Sequence, residues 1–203
     1  MPEAKIATEA ILLAKNESGE NGLLLTLLTS DRGILRAFKR TSARSKKAPP
    51  DLFDEASLLL NKAKTSDLWF VDEYIVLQRR DQIGRNYRAF QYACRYAMLL
   101  SRNIFDIAES PSWIIQLRRA LDAWETGKYP EIVYFKALYL FAKQQGIPVK
   151  EDWLASLKEE GSPLRSVLRL PLADQTAAAW SVVEWIASLE DYLKKNYEVQ
   201  FPA

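Results

Sequence analysis

Between Arg32 and Lys47 the chain carries Arg32, Arg36, Lys39, Arg40, Arg44, Lys46 and Lys47, with no acid among them; Asp31 and Asp51 flank the run. Lys and Arg neutralise phosphates and release condensed counterions, an attraction that does not depend on base sequence. The whole chain has a net charge of only +2, so the signal lies in local concentration, which sets surface potential. A solvated loop kept soluble by charge would show the same run. Phe38 stands inside it. An exposed ring there could stack on a base, as in single-strand binders; the competing role of a strand phenylalanine is core packing. A second basic set is Arg85, Arg88, Arg95 and Arg102, spaced three, seven and seven. At ~100° per residue these four share one helical face, and no acid lies between Arg85 and Arg102. An ordinary polar face opposite a core stripe has the same pattern.

Other chemistries lack their residues. The chain has one cysteine, Cys94, and no histidine. An intramolecular disulfide is impossible, a structural zinc site of about four Cys and His ligands cannot be assembled, and a nucleophile–histidine–acid triad is excluded. The glycines form neither a G-x-x-x-x-G-K nor a G-x-G-x-x-G phosphate cradle. Asp72-Glu73 and Glu159-Glu160 read as exposed charge, and Cys94, on an apolar stripe, as a buried, inert thiol. The expectation is a protein with no catalytic residues, no metal and no cofactor. The start, Met1-Pro2-Glu3-Ala4-Lys5, lacks a secretory signal, and no apolar run approaches a membrane span of ~18 residues, so a cytoplasmic location is expected.

The basic residues must be positioned by two kinds of structure. Up to residue 80 the pattern is one of short strands: Lys5–Ala14, Leu23–Thr29, Ile34–Arg40, Ala56–Asn61 and Leu68–Leu77. Ser30-Asp31-Arg32-Gly33 reads as a hairpin turn with Gly33 at positive φ. Thr41–Pro50 is a polar, basic loop. Five short strands suggest a small closed barrel. From Asp81 the apolar period lengthens. Ile83, Tyr87, Phe90, Cys94, Ala97, Leu100, Ile104 and Ile107 make one stripe, with a helix over Gln82–Asn103. Further helices are predicted from Ser110-Pro111 to near Gly127, over Pro130–Gln145 as the central member of a bundle, near Asp152–Glu160, and over Asp174–Tyr197. Trp69, Trp113, Trp124, Trp180 and Trp185 follow core periodicities and read as packing. The fold class is thus α+β and multidomain: residues 1–80 an N-terminal five-stranded β-barrel, residues 81–203 an all-α helical domain.

The order of motifs resembles a known family. Glu9-Ala10-Ile11-Leu12-Leu13, Gly19-Glu20-Asn21, Leu25-Thr26-Leu27-Leu28-Thr29 and Gly33-Ile34-Leu35-Arg36 resemble the opening of RecO, recombination protein O. Lys39 to Lys47 resembles that family's basic segment, and Pro50-Asp51-Leu52-Phe53-Asp54 its proline–phenylalanine stretch. Tyr134-Phe135-Lys136-Ala137-Leu138 through Gln145-Gly146-Ile147 resembles the helix ending in Leu-Gly-Tyr, and Tyr192-Leu193 the final helix. The resemblance covers nearly the whole chain, each motif being weak and their order carrying the match. It departs from the family in one respect: Val149–Leu172 holds no Cys or His, so the four-cysteine zinc module of many members is missing or replaced.

The resemblance implies an OB-fold that binds DNA, followed by a helical partner-binding domain. It implies a bacterial, nucleoid-associated mediator of DNA repair and recombination that binds single- and double-stranded DNA and anneals complementary strands. Its partners would be RecR, with which it loads RecA, and the acidic-apolar C-terminal tail of single-stranded DNA-binding protein. Two other classes fit the residues: a barrel–helix adaptor whose ligand is a protein, and an enzyme with an unrecognised carboxylate site. Salt sensitivity of DNA binding separates the first from the lead reading; converging acids in a pocket would be needed for the second.

Overall fold

The computed structural model describes residues 5–41, 48–62, 67–104, 110–157, 161–175 and 179–202. Five strands come first: β1 (Lys5–Glu17), β2 (Gly22–Thr29), β3 (Ile34–Arg40), β4 (Glu55–Lys62) and β5 (Trp69–Gln78). Seven α-helices follow among the described residues: α1 (Asp81–Arg85), α2 (Tyr87–Asn103), α3 (Ser110–Glu125), α4 (Pro130–Gln144), α5 (Trp153–Ser156), α6 (Gly161–Arg169) and α7 (Ala179–Tyr197). The layout is α+β. The chain divides into two compact units, the first of residues 1–80 and 103–118, the second of residues 81–102 and 119–203. No helix among the described residues is long and apolar enough to cross a membrane.

In the first unit the strands form one mixed sheet in the order β1-β2-β3-β5-β4, with β1 also paired to β4. All pairings are antiparallel except β3 with β5. Side chains of a strand alternate between faces, and one face is a hydrophobic core of Ala10, Leu12, Leu25, Leu27, Ala37, Ala56, Leu58, Leu60 and Trp69. The β2–β3 turn closes as its residues dictate. Gly33 takes φ 68°, and the Thr29 hydroxyl donates to the Gly33 carbonyl at 2.8 Å.

A bulge decides what β5 exposes. Leu59 is opposite Glu73 and Leu60 opposite Val71, so Asp72 is an extra residue. An inserted residue shifts the alternation of its strand. Trp69 and Val71 therefore face the core before the bulge and Tyr74 after it, while Phe70, Ile75 and Leu77 are exposed.

An ion cluster within this unit joins Arg80 and Arg118 to Glu55. The Arg80 side chain, fully buried, donates to the Phe53 carbonyl at 3.2 Å and to Glu55 and Gln78 at 3.3 Å each. Arg118 Nε donates to both Glu55 oxygens, at 3.0 and 3.1 Å. Burial alone would push the Glu55 carboxyl up; hydrogen bonds and charge from Arg118, then Arg80, more than reverse this and hold it below the ordinary 4.5. A depressed carboxylate contributes stability that is present above 4.5 and is lost as pH falls through the folded value beneath it.

The second unit is centred on α4, which buries ten side chains, Tyr134, Phe135, Leu138 and Phe141 among them, and packs against α7. Three expectations need correction here. The helix expected over Gln82–Asn103 is broken: Asn86 ends α1 and caps α2, its Oδ1 accepting the Ala89 amide at 3.1 Å while its Nδ2 donates to the Gly127 carbonyl at 3.2 Å. Such a cap satisfies a helix-start amide that has no intrahelical partner. The expected stripe is also only partly the buried face. Tyr87 is 76% exposed and Phe90 36%, and Cys94 is half-buried. The buried face is Ala89, Ala93 and Ala97 with Tyr96, Leu99 and Leu100. Small residues every fourth position allow close approach, and α2 is apolar on two sides. Finally, α6 was not anticipated, and α7 begins at Ala179 after a 3-10 turn at Leu172–Asp174.

Candidate nucleic-acid interface

β3 sorts the basic run onto different faces. Ala37 faces the core and Leu35 packs against it, so by alternation Lys39 belongs to the inner row and Arg36, Phe38 and Arg40 to the outer. The Lys39 ammonium lies 5.9 Å from the centre of the Tyr74 ring. Arg36 and Arg40 are exposed and make no ion pair among the described residues.

Phe38 lies outside the core cluster and is half-buried. It pairs across the parallel register with Phe70. Their ring centres are 6.0 Å apart at 73°, an edge-to-face contact, and Phe70 is 44% exposed. Gly22 forms the seat. A Cβ there would come within 2.4 Å of the Phe38 ring and 2.7 Å of the Ser18 carbonyl oxygen, so the ring occupies space that only glycine leaves open. The result is an open aromatic pair with a guanidinium two residues to either side along β3. Rings of this kind accept a base of any identity, and flanking cations hold the backbone.

The other sequence candidates are placed differently. Arg32 sits in the β2–β3 turn, at the opposite end of β3 from Arg40, 3.4 Å from Asp31. Arg44, Lys46 and Lys47 lie outside the described residues. Arg85 belongs to α1, before the Asn86 break, and Arg88 to α2; both are exposed. Arg95 and Arg102 are committed. Arg95 forms an ion pair with the buried Glu190 carboxylate, which also accepts the Tyr134 hydroxyl at 2.8 Å, and the guanidinium stacks 5.5 Å from the Tyr134 ring. Arg102 donates to the Phe201 carbonyl at 2.7 Å.

Sequence reasoning missed Phe70, which faces outward by alternation with Trp69 and Val71 but meets Phe38 only through the parallel pairing of β3 with β5, which no local residue pattern announces. It also missed a groove on the second unit lined by Tyr87, Phe90, Cys94, Arg95, Met98 and Pro202. Burial pushes the Cys94 thiol up, which keeps it protonated.

No family model matches the chain, and no curated protein matches it.

Proposed function

We propose that the five strands form an OB-type barrel and that the outer face of β3 and β5 binds single-stranded DNA. The observation that carries this is the row Arg36–Phe38–Arg40 with the Phe70 ring set edge-on beside Phe38. The rings give each base an apolar platform; the two guanidiniums, without carboxylate partners among the described residues, give the phosphates their counter-charge. Arg44, Lys46 and Lys47 follow Arg40 in the sequence and belong to the same acid-free basic run. With the resemblance to RecO, this supports a mediator of DNA repair and recombination that binds and anneals DNA without catalysis and acts with RecR and RecA. The alternative, an adaptor for a protein ligand, has one specific support. The groove that Tyr87, Phe90 and Met98 line offers exposed apolar side chains to a protein ligand.

The test is fluorescence anisotropy with a labelled oligothymidylate across a salt series. For single strands, log affinity falls with log salt at about −0.7 per neutralised phosphate. Replacing Arg36 and Arg40 by Gln should flatten the slope by about 1.4, one phosphate being assigned to each. The Arg44, Lys46 and Lys47 variant should flatten it further by about 2.1. An unchanged slope in both variants moves DNA binding off this face.

A further inference from the structure

β3 and β5 are paired only at Ala37–Trp69 and Phe38–Phe70. Where that short parallel ladder stops, a cavity of about 590 Å³ opens, lined by Lys39, Arg40, Pro50, Tyr74, Ile75 and Arg79. Its size falls in the range of small-ligand sites, roughly 300–1,000 Å³. Its composition divides cleanly into a flat apolar part (the Tyr74 ring, Pro50 and Ile75) and a cationic part (Lys39, Arg40 and Arg79).

The proline wall is held from two sides. Arg79 donates to the Pro49 carbonyl at 3.1 Å and lies 3.5 Å from the buried Asp54 carboxylate. The Lys15 ammonium donates to the Pro50 carbonyl at 3.2 Å and to Asp51 at 2.7 Å. These contacts neutralise the two nearby acids and leave the wall pre-shaped, which lowers the ordering cost of binding. Burial, with the charge of Asp54, pushes the Tyr74 hydroxyl up, so it stays neutral. Arg40 belongs both to the outer row of β3 and to the cavity lining, which makes the two features continuous.

We propose that this cavity takes one unstacked nucleotide of the strand bound on Phe38 and Phe70. Its base lies against Tyr74, Pro50 and Ile75, and the adjoining phosphates meet Lys39 and Arg40, with Arg79 as a positioning residue. The inference rests on the proposed function and adds to it a pocket that Arg36, Phe38 and Phe70 do not form. A flat apolar wall beside cations suits a planar ring joined to an anion; an acidic peptide would use only the cations.

Ile75→Glu sets a carboxylate into the wall at a position 52% exposed, where folding tolerates it. The measurement is anisotropy with oligothymidylates that carry a single abasic site walked along the strand. In the wild-type chain, abasic sites should weaken binding at two separated places, one for the ring pair and one for the cavity. Loss of one stacked base corresponds to about five- to 150-fold in affinity. In Ile75→Glu the second place should vanish and overall affinity fall by a similar factor; Arg79→Gln should reduce it partially. If Ile75→Glu and Arg79→Gln bind with wild-type affinity and an unchanged abasic profile while Phe38→Ala weakens binding, the pocket assignment is overturned and the outer-face reading stands. A wild-type chain that binds no oligonucleotide removes both.

Discussion

Arg36 and Arg40 on β3, and Arg95 and Arg102 on α2, are the same residue type in runs equally free of local acids, yet the fold treats them oppositely. On β3 the guanidiniums of Arg36 and Arg40 stand opposite Thr26 and Gly22 of β2 and are exposed, with no ion pair among the described residues. On α2, α7 delivers Glu190 beneath Arg95, and the chain after it delivers the Phe201 carbonyl to Arg102. A charge free of acids in sequence need not be free in space. Counting cations along a helix finds a face, and only the elements packed on it decide whether the face is available.

That contrast can be broken at the committed end first. Glu190→Gln would leave the Arg95 guanidinium over Tyr134 without its carboxylate. Breaking a buried ion pair costs about 3–5 kcal/mol; because Arg95 keeps 36% exposure, a loss of about 3 kcal/mol, the low end, is expected in urea unfolding. Oligothymidylate affinity should not change. A gain in affinity with an added salt-slope increment would show that Glu190 had been masking a DNA contact.

At the open end, Phe38→Ala should weaken oligothymidylate binding by about 1–3 kcal/mol with the salt slope intact. Its folding loss should stay well under the ~3–5 kcal/mol of a core phenylalanine, because the ring lies off the core cluster. A core-sized loss in the urea midpoint, with the affinity of the remaining folded protein unaltered, would return Phe38 to a packing role.

The smallest expected effect sharpens the comparison. Arg88 is exposed on α2 and lies outside the Arg36–Phe38–Arg40 row of β3. Arg88→Gln should leave the salt slope unchanged, and stability should move by no more than ~0.5 kcal/mol. Flattening by about 0.7 would make Arg88 a phosphate contact.

Much of the sheet is legible in the sequence because two local signals agree there. Alternating side chains and glycine-bearing turns place β3 at Ile34–Arg40, with both ends as expected, and the other strands to within a few residues. The helices are less legible because α2 offers two apolar faces. Tyr87 and Phe90 weigh heavily in the expected stripe, while the buried contact is made by Ala89, Ala93 and Ala97 with Tyr96, Leu99 and Leu100. The cap at Asn86 interrupts a period of three and four that is continuous in the sequence. The candidate interface is half legible. Arg36, Phe38 and Arg40 stand in one local pattern; Phe70 enters through a parallel pairing thirty-two residues away in the chain (70 − 38 = 32).

The division of the chain gives the sheet a history during synthesis. Its last strand is complete by Gln78 and Arg80 follows at once, but Arg118, the second guanidinium on Glu55, comes thirty-eight residues later (118 − 80 = 38). At ~5–20 residues per second, that is a delay of roughly 2–8 s. Meanwhile residues 81–102, which belong to the other unit, have already been made. The nascent sheet therefore waits with one of its two countercharges, and a fragment cut at Arg80 would be frozen in that waiting state: all five strands present, Glu55 held by Arg80 alone, and less resistance to acid than the full chain.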